Sequence, residues 1–212
     1  MLELGLKFTL AYWLGSILGS LVIGRIRGGE DLRDVGSRNP GATNALRTHG
    51  KAVALGVMII DVGKGILAVL FIPGLAIPGV GLDPEIGRAL ITYAVAFAAI
   101  LGHVFPIWYD FRGGKGGATA AGILCCLAPV LAGPVFGLWV LVIYLTGLVG
   151  LATVLATAGA AVLIGATRLP DEQNLFVFSC LVAMLITYTH RSNIRRMLDG
   201  TEAIVGRPFW RK

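Results

Sequence analysis

The sequence predicts an all-α polytopic membrane protein: a bundle of seven transmembrane helices with its N-terminus outside and its C-terminus in the cytoplasm. Of its 212 residues, 56% are hydrophobic and only 14% are charged, whereas about a quarter of the residues in a soluble domain are charged. Residues 116–167 contain no Lys, Arg, Asp, Glu or His, and about 20 apolar residues suffice to cross a membrane. We expect one integral-membrane domain over residues 1–212.

Four apolar segments outside 116–167 are long enough to be membrane-spanning helices. We predict these helices at Leu4–Gly24, Ala52–Ile72, Ile86–Val104 and Asn174–Thr189. A short helix from about Asn44 to Thr48, ending at Gly50, is expected between the first two.

The distribution of basic residues predicts the orientation and the remaining spans. Segments 25–51 and 190–212 each carry six Lys or Arg residues, so both should be cytoplasmic by the positive-inside rule. The loop 73–87 carries only Asp83 and Glu85 and should be external. Only three spans within 116–167 keep the basic tail inside. We place their breaks near Pro129–Pro134 and Thr146–Gly150, and assign their many Gly and Ala residues to close helix packing.

Composition also excludes several classes of protein. The net charge of +6 is not arranged as a basic run interleaved with aromatics, so anionic lipid and an anionic substrate are better partners than nucleic acid. Cys125, Cys126 and Cys180 lie in apolar segments without metal-ligand spacing, which predicts buried thiols and no metal site. No Gly-x-Ser-x-Gly or His-Glu-x-x-His pattern is present, which argues against a serine hydrolase or a zinc peptidase. No cofactor is expected.

The glycine-rich stretch 113–117 is a candidate anion site. Its four glycines, Gly113, Gly114, Gly116 and Gly117, let the backbone turn N–H groups toward a ligand, and Lys115 adds a full positive charge. Ala118 and Thr119 then open a helix, whose N-terminus attracts anions. The spacing fits neither a Walker P-loop nor G-x-G-x-x-G, and a flexible hinge is the alternative interpretation.

Two further polar stretches are predicted on the same side of the membrane. Residues 36–44 contain side chains typical of turns and caps, and Arg47 projects from the short helix that follows, where a guanidinium can bind phosphate through paired hydrogen bonds. Arg33 and Arg38 are candidates for contact with lipid headgroups. His190 and Asn193 are three residues apart and should share a helix face at the end of the last span.

Charged and titratable residues in or beside the spans have two interpretations. Asp61 and Lys64 lie in the second predicted span, and intramembrane charges suggest function by default. We favour a structural ion pair that faces the bundle. His103, just before a proline break, is predicted to be structural.

With these stretches defined, the sequence resembles the bacterial acyl-phosphate:glycerol-3-phosphate acyltransferases, small integral membrane enzymes. Residues 36–44 (GSRNPGATN) match the first family motif without departure. Residues 102–119 (GHVFPIWYDFRGGKGGAT) match the second, with Trp108 where Phe is usual, and residues 190–202 (HRSNIRRMLDGTE) match the third, with Met197 in place of Leu. Both changes are apolar.

The resemblance implies transfer of a fatty acyl group from acyl phosphate to the primary hydroxyl of sn-glycerol 3-phosphate, giving lysophosphatidic acid and phosphate, the first acylation of bacterial phospholipid synthesis. It implies a site on the cytoplasmic side of the inner membrane and a functional link to an acyl-phosphate-forming enzyme. It further implies catalytic and substrate-binding residues at matching positions: Ser37, Lys115, His190 and Asn193 as catalytic, and Arg47, Asn39, Thr43, Asn44, Gly113, Gly114, Gly116, Gly117 and Thr119 as substrate-binding.

Two questions stay open at the level of sequence. The base that accepts the proton of the attacking hydroxyl is either His190 or the substrate's own phosphate, whose second pKa is about 6. The competing class of function is an anion transporter or channel; a transporter would be expected to carry polar residues along several spans and internal repeats. Here the polar residues are concentrated on one side.

Overall fold

The computed structural model describes residues 1–28 and 31–206, and every regular element in that part of the chain is helical. This confirms the all-α class, while Arg207, Arg211 and Lys212 of the basic tail lie outside the described residues. The helices are α1 (Leu2–Gly15), α2 (Gly19–Ile26), α3 (Ala42–His49), α4 (Lys51–Phe71), α5 (Arg88–Val104), a 3₁₀ turn (Ile107–Tyr109), α6 (Gly117–Leu127), α7 (Pro129–Thr146), α8 (Val149–Arg168), α9 (Gln173–Thr189) and α10 (Arg191–Leu198).

The helices form two compact units, one over Met1–Leu127 and one that begins at Ala128. A single domain over residues 1–212 stays a prediction.

Small residues let the helices of the first unit cross at short range. A Cβ placed on Gly102 of α5 would collide with the Tyr12 carbonyl of α1, and one on Gly15 would collide with Ala99. Between α4 and α6, a Cβ on Gly65 would lie 2.5 Å from the Thr119 carbonyl oxygen. Lipid provides no hydrophobic driving force for helix association, so this close backbone packing is what stabilises the contacts between the helices.

The first predicted span differs from the structure. A continuous helix over Leu4–Gly24 was expected, but α1 ends at Gly15, α2 begins at Gly19, and the two are bent by 46°. Leu18 is extended, with φ −93° and ψ 120°. The break survives in a low-dielectric setting because buried side chains of α4 bond to the backbone groups that it releases.

The uncharged stretch forms three helices, as predicted. They are α6, α7 and α8, with breaks at Ala128 and at Gly147–Leu148. However, α6 has only 11 residues, fewer than the roughly 17 that a helix needs to cross on its own. Within the described residues, four helices are long and apolar enough to span, or up to six if each bent pair is one span. Seven crossings and the orientation stay predictions.

The second unit packs α7, α8 and α9 in sequence order. Gly159 of α8 faces Leu138 of α7, where an added Cβ would lie 2.8 Å from Cδ2, and the Trp139 indole donates to Thr153 Oγ1 at 3.2 Å. The segment after α10 returns to the α7–α8 turn, where the Val205 N–H donates to the Gly147 carbonyl at 2.8 Å.

Candidate active site

The first polar stretch is held in shape by one buried amide. Asn44 is only 1% exposed, and its Oδ1 accepts from the Ser37 N–H at 2.9 Å. Its Nδ2 donates to the Leu32 and Val35 carbonyls, both at 3.0 Å. Gly36 has φ +59°, and a Cβ there would collide with Asn44 Oδ1. The sequence GSRNPGATN therefore closes a loop around its own last residue.

This loop presents the predicted ligands at its surface. Ser37 is exposed, and Asn39 and Thr43 are half-buried. Arg47 is exposed on α3, which is longer than predicted at both ends and stops at Gly50, with φ +82°. The contacts of Asn44 give it a role in holding the loop, and its contact with substrate stays a prediction.

Arg33 has a structural role within the protein, and its contact with lipid headgroups stays a prediction. Its guanidinium bonds to Asp31 at 2.6 Å and 2.9 Å, donates to the Tyr109 carbonyl at 3.3 Å, and lies 5.5 Å from the Tyr109 ring centre. Partial burial opposes ionisation of Asp31, but the hydrogen bonds from Arg33 outweigh it, so the pKa of Asp31 lies below its usual value. This pair ties the residues before the first polar stretch to those before the glycine-rich one.

The glycine-rich stretch is a tight loop supported by the end of α5. The Gly114 N–H donates to the His103 carbonyl at 3.0 Å. A Cβ on Gly113 would collide with that carbonyl, and a Cβ on Gly114 would collide with the His103 ring. Gly114 and Gly116 are buried and Lys115 between them is half-buried. Glycine is required at 113 and 114 for space and at 116 for its φ of +85°.

The loop leads directly into the N-terminus of α6. That helix begins at Gly117, and the Ala120 N–H already donates to the Gly116 carbonyl at 2.8 Å. Thr119 in its first turn is fully buried, and its hydroxyl has no hydrogen-bond partner within the described chain. A positive helix end, Lys115 and a narrow backbone loop give the arrangement expected of an anion site.

Asp61 and Lys64 form the ion pair favoured from the sequence. Their side chains are 1% and 3% exposed, with Nζ 3.0 Å from Oδ1. The predicted structural role of His103 also agrees with the geometry, since its buried ring contacts Lys64 Nζ at 2.8 Å. The sequence alone did not connect this histidine with the pair.

In the second unit, His190 stands at the bend between α9 and α10. The chain turns by 55° there, so the predicted last span does not continue straight through His190. His190 is the N-cap of α10, and Asn193 lies in the first turn of that helix. His190 Nδ1 is 2.8 Å from the Ile186 carbonyl oxygen, which can only accept. We therefore assign the proton to Nδ1, which makes Nε2 the acceptor nitrogen of the neutral ring.

Asn193 is oriented by a carboxylate that the sequence analysis did not single out. Its Nδ2 donates to Glu202 Oε1 at 2.7 Å, and Arg196 Nε donates to Glu202 Oε2 at 2.6 Å. Gly150 leaves room for the side chain, because a Cβ there would lie 3.0 Å from Asn193 Cβ. The sequence feature that could have identified Glu202 is its position, since it is the last residue of the third matched motif.

The structure therefore groups the predicted residues within each unit. Ser37, Asn44 and Arg47 belong to one loop and helix of the first unit, which also contains the loop around Lys115. His190 and Asn193 belong to one turn of the second unit. Within the described residues, no group of three or more His, Cys, Asp or Glu side chains could hold a metal ion.

Comparisons with known proteins agree along nearly the whole chain. The family model described as Glycerol-3-phosphate acyltransferase matches residues 6–200. A protein of that name from Chlorobaculum parvum is 35% identical over 215 residues, covering 92% of this chain and 93% of the relative. One from Chlorobium luteolum is 33% identical over 226 residues, covering 95% and 96%.

Solved structures resemble it as well. A crystal structure of PlsY (YgiH), an integral membrane glycerol 3-phosphate acyltransferase in its glycerol 3-phosphate form, aligns with a TM-score of 0.80 and 33% identity over 96% of both chains. The lysophosphatidic acid form of that protein aligns with a TM-score of 0.80 and 32% identity, over 96% of this chain and 95% of the other.

Proposed function

Because the chain belongs to the glycerol-3-phosphate acyltransferase family, we propose that it transfers a fatty acyl group from acyl phosphate to the primary hydroxyl of sn-glycerol 3-phosphate. The products are lysophosphatidic acid and inorganic phosphate. Membership makes the chain an integral membrane acyltransferase. The observation that carries the choice of donor is the tight, cationic glycine loop at 113–117, which suits a phosphate.

The chemistry is one displacement at a carbonyl. The glycerol oxygen forms an ester bond with the acyl carbon, the bond from that carbon to the phosphate oxygen breaks, and the electron pair leaves on phosphate. Phosphate is a good leaving group, so the enzyme's main tasks are to hold two anions together and to orient the hydroxyl. Two anions at close range repel, and this makes cations and backbone N–H donors necessary.

We assign the anion-binding task to the cations and N–H groups of the first unit. The glycine loop, Lys115 and the N-terminus of α6 would bind one phosphate, and Arg47 with the polar side chains of the 36–44 loop would bind the other or the glycerol hydroxyls. Support for glycerol 3-phosphate as acceptor comes from the family and from the solved relative in its glycerol 3-phosphate form.

We assign the proton-handling task to His190 and the substrate. With Nδ1–H directed at the Ile186 carbonyl, Nε2 can accept a hydrogen bond from the attacking hydroxyl. Asn193, oriented by Glu202, can bind a phosphate or hydroxyl beside it. The final proton acceptor is His190 or the phosphate of glycerol 3-phosphate, and the histidine's tautomer is compatible with both.

We further propose seven crossings, with the polar stretches on the cytoplasmic face of the bacterial inner membrane. The support is the basic composition of segments 25–51 and 190–212.

An acyl phosphate is a reactive mixed anhydride with a long apolar chain, so a reaction that forms acyl phosphates must supply it nearby. The apolar helix surfaces would hold its chain in the lipid.

The test is phosphate release by the purified protein in detergent. Palmitoyl phosphate and glycerol 3-phosphate together should yield equal amounts of phosphate and 1-palmitoyl lysophosphatidic acid, while either substrate alone should yield neither. Palmitoyl-CoA and palmitoyl acyl carrier protein, supplied at the same concentrations, should be far poorer donors.

Two results would contradict the proposal. Equal rates from a thioester donor would remove the argument for acyl phosphate. Phosphate release that does not depend on glycerol 3-phosphate would indicate hydrolysis. Lys115→Ala, purified in the same way, is the matched control for contaminating acyltransferases, because their activity would not respond to it.

A further inference from the structure

We propose that Asp61, Lys64 and His103 are positioning residues, which fix the glycine loop 113–117 by joining it to the break between α1 and α2. All of these elements belong to the first unit. The proposal rests on the proposed function in one respect only, namely that this loop binds a substrate phosphate.

Lys64 uses every donor it has. An ammonium carries three N–H bonds, and three acceptors surround Nζ: the Ile17 carbonyl at 2.7 Å, His103 Nδ1 at 2.8 Å and Asp61 Oδ1 at 3.0 Å. The side chain is 3% exposed. A buried cation with all three directions occupied, by groups from α4, from α5 and from the break between α1 and α2, has one position and resists displacement.

The Asp61–Lys64 pair also bonds to the backbone groups that the break between α1 and α2 releases. Ile17, just beyond the C-terminus of α1, offers its carbonyl to the cation, and the Gly19 N–H at the start of α2 donates to Asp61 Oδ1 at 3.1 Å. Cation at a helix C-terminus and anion at a helix N-terminus are the favourable signs for both dipoles. Asp61 and Lys64 therefore stabilise the break between α1 and α2, and the Ile17 carbonyl at that break in turn fixes the position of Lys64.

His103 connects the fixed Lys64 to the glycine loop, because it contacts both Lys64 and Gly114. Because Lys64 can only donate, Nδ1 of His103 must accept, which assigns the ring proton to Nε2. The Nε2 side of the ring lies against Gly114, where an added Cβ would collide with Nε2 and lie 2.9 Å from Cε1. The His103 backbone carbonyl accepts from the Gly114 N–H at 3.0 Å. One residue thus supports Gly114 by its ring and its carbonyl.

The consequence is that loop position depends on a ring that is itself locked by Lys64. Gly114 precedes Lys115, so a loop displacement would move the cation and the neighbouring N–H groups together. A misplacement of about 1 Å can lower the rate by about 100-fold. Loosening the ring should therefore weaken binding of the phosphate held by the loop, without altering the loop's own chemistry.

The main test is His103→Asn. The amide oxygen of Asn can occupy the Nδ1 position and accept from Lys64, whereas the ring atoms that face Gly114 are absent. Hydrogen exchange followed by mass spectrometry should show faster exchange of the amides at 112–119 than in the wild type, with little change at α7 and α8. The KM for one phosphate substrate should rise at least about tenfold, with a smaller effect on the KM of the other.

A second arm uses neighbouring glycines as matched variants. The collision of Gly114→Ala is with the His103 ring, so His103→Asn should relieve it, and the double variant should bind substrate better than the two separate losses predict. The collision of Gly113→Ala is with the His103 backbone carbonyl, so the same background should not relieve it, and those losses should multiply.

The outcomes separate this proposal from the proposed function. Unchanged loop exchange in His103→Asn, or the same effect of Gly114→Ala in both backgrounds, would overturn the positioning role. A wild-type protein without acyl-phosphate activity would overturn the proposed function, while the exchange data would still decide the positioning role. If His103→Asn does not fold, His103→Gln keeps a polar side chain of similar volume without the fixed ring, and the same exchange and KM changes are expected.

Discussion

Replacing Lys64 by Met tests how strongly the buried pair stabilises the protein. Met keeps the length and apolar volume of the lysine stem but removes all three hydrogen bonds of Nζ. Asp61, 1% exposed, would then be a buried carboxylate without its cation. The Ile17 carbonyl would also lose its bond to Nζ.

The expected loss of stability is large. Removing one partner of a buried ion pair costs about 3–5 kcal/mol, because the remaining charge is uncompensated. Total folding stability is typically about 5–15 kcal/mol, so Lys64→Met should lose a large share of it. The double variant Asp61→Asn with Lys64→Met should recover part of the loss, since no charge is then buried alone and the amide oxygen can still accept from Gly19.

The measurement is unfolding in mixed detergent micelles, followed by circular dichroism as the denaturing detergent increases. The single variant should unfold first, the double variant next and the wild type last. A Lys64→Met protein within about 1 kcal/mol of wild type would refute the reasoning, and a double variant no more stable than the single one would refute the role of uncompensated charge.

Three other expectations follow from the same geometry. Lys115→Ala and Arg47→Ala should each lower turnover by roughly tenfold to over a hundredfold, since a hydrogen bond to a charged group contributes about 1.5–3 kcal/mol; near-normal turnover in a folded variant would remove that residue from the site. A cysteine at exposed position 198 should react with an impermeant reagent only after lysis, and one at exposed position 82 should react in intact cells; the opposite result would mean that the seven-span topology is wrong. Glu3→Ala should lower the melting temperature more than Glu172→Ala, because Glu3 is the buried partner of Lys7 whereas both side chains of the Arg168–Glu172 pair are 37% exposed; equal effects would contradict this.

Sequence reasoning succeeded where local chemistry decides the structure. Long, predominantly apolar segments predicted α4, α5 and α9, and Gly50 predicted the end of α3. It failed at the α1–α2 break, because the groups that satisfy the freed backbone lie far along the chain. Ile17 and Gly19 bond to residues 47 and 42 positions away, and a hydropathy average over one segment does not contain that information.

The residues of the candidate site fall into the same two groups, those found from the sequence and those found only in the structure. The glycine loop, Lys115 and Arg47 were found from their own residue types, because a close backbone and a fixed charge are local properties. The supports of the site were not found. Glu202 orients Asn193 through a chain reversal after α10, and His103 supports Gly114 through packing in three dimensions. Such partners become visible only when the fold has brought them together.

The last prediction concerns the order of events at the carbonyl. We expect direct attack by the glycerol hydroxyl, with Ser37 as an orienting group and not an acylated nucleophile. The backbone N–H of Ser37 is committed to Asn44, and within residues 1–28 and 31–127 no histidine or carboxylate bonds to its hydroxyl, so nothing in that unit activates it.

Direct attack and covalent catalysis predict losses of rate of different size when Ser37 is replaced. Under direct attack, Ser37→Ala should lose only an orienting hydrogen bond, about 0.5–1.5 kcal/mol if it is made to a glycerol hydroxyl and about 1.5–3 kcal/mol if it is made to a phosphate. Either loss is roughly a hundredfold or less in rate, whereas removal of a serine nucleophile costs about 10⁶. Kinetics should be sequential, and acyl phosphate alone should leave the protein unmodified in intact-mass spectrometry. One acyl group on Ser37 with one phosphate released per molecule would instead establish a covalent intermediate. A His190→Ala enzyme that keeps substantial turnover would favour the substrate phosphate as base, because glycerol 3-phosphate then carries its own proton acceptor into the site.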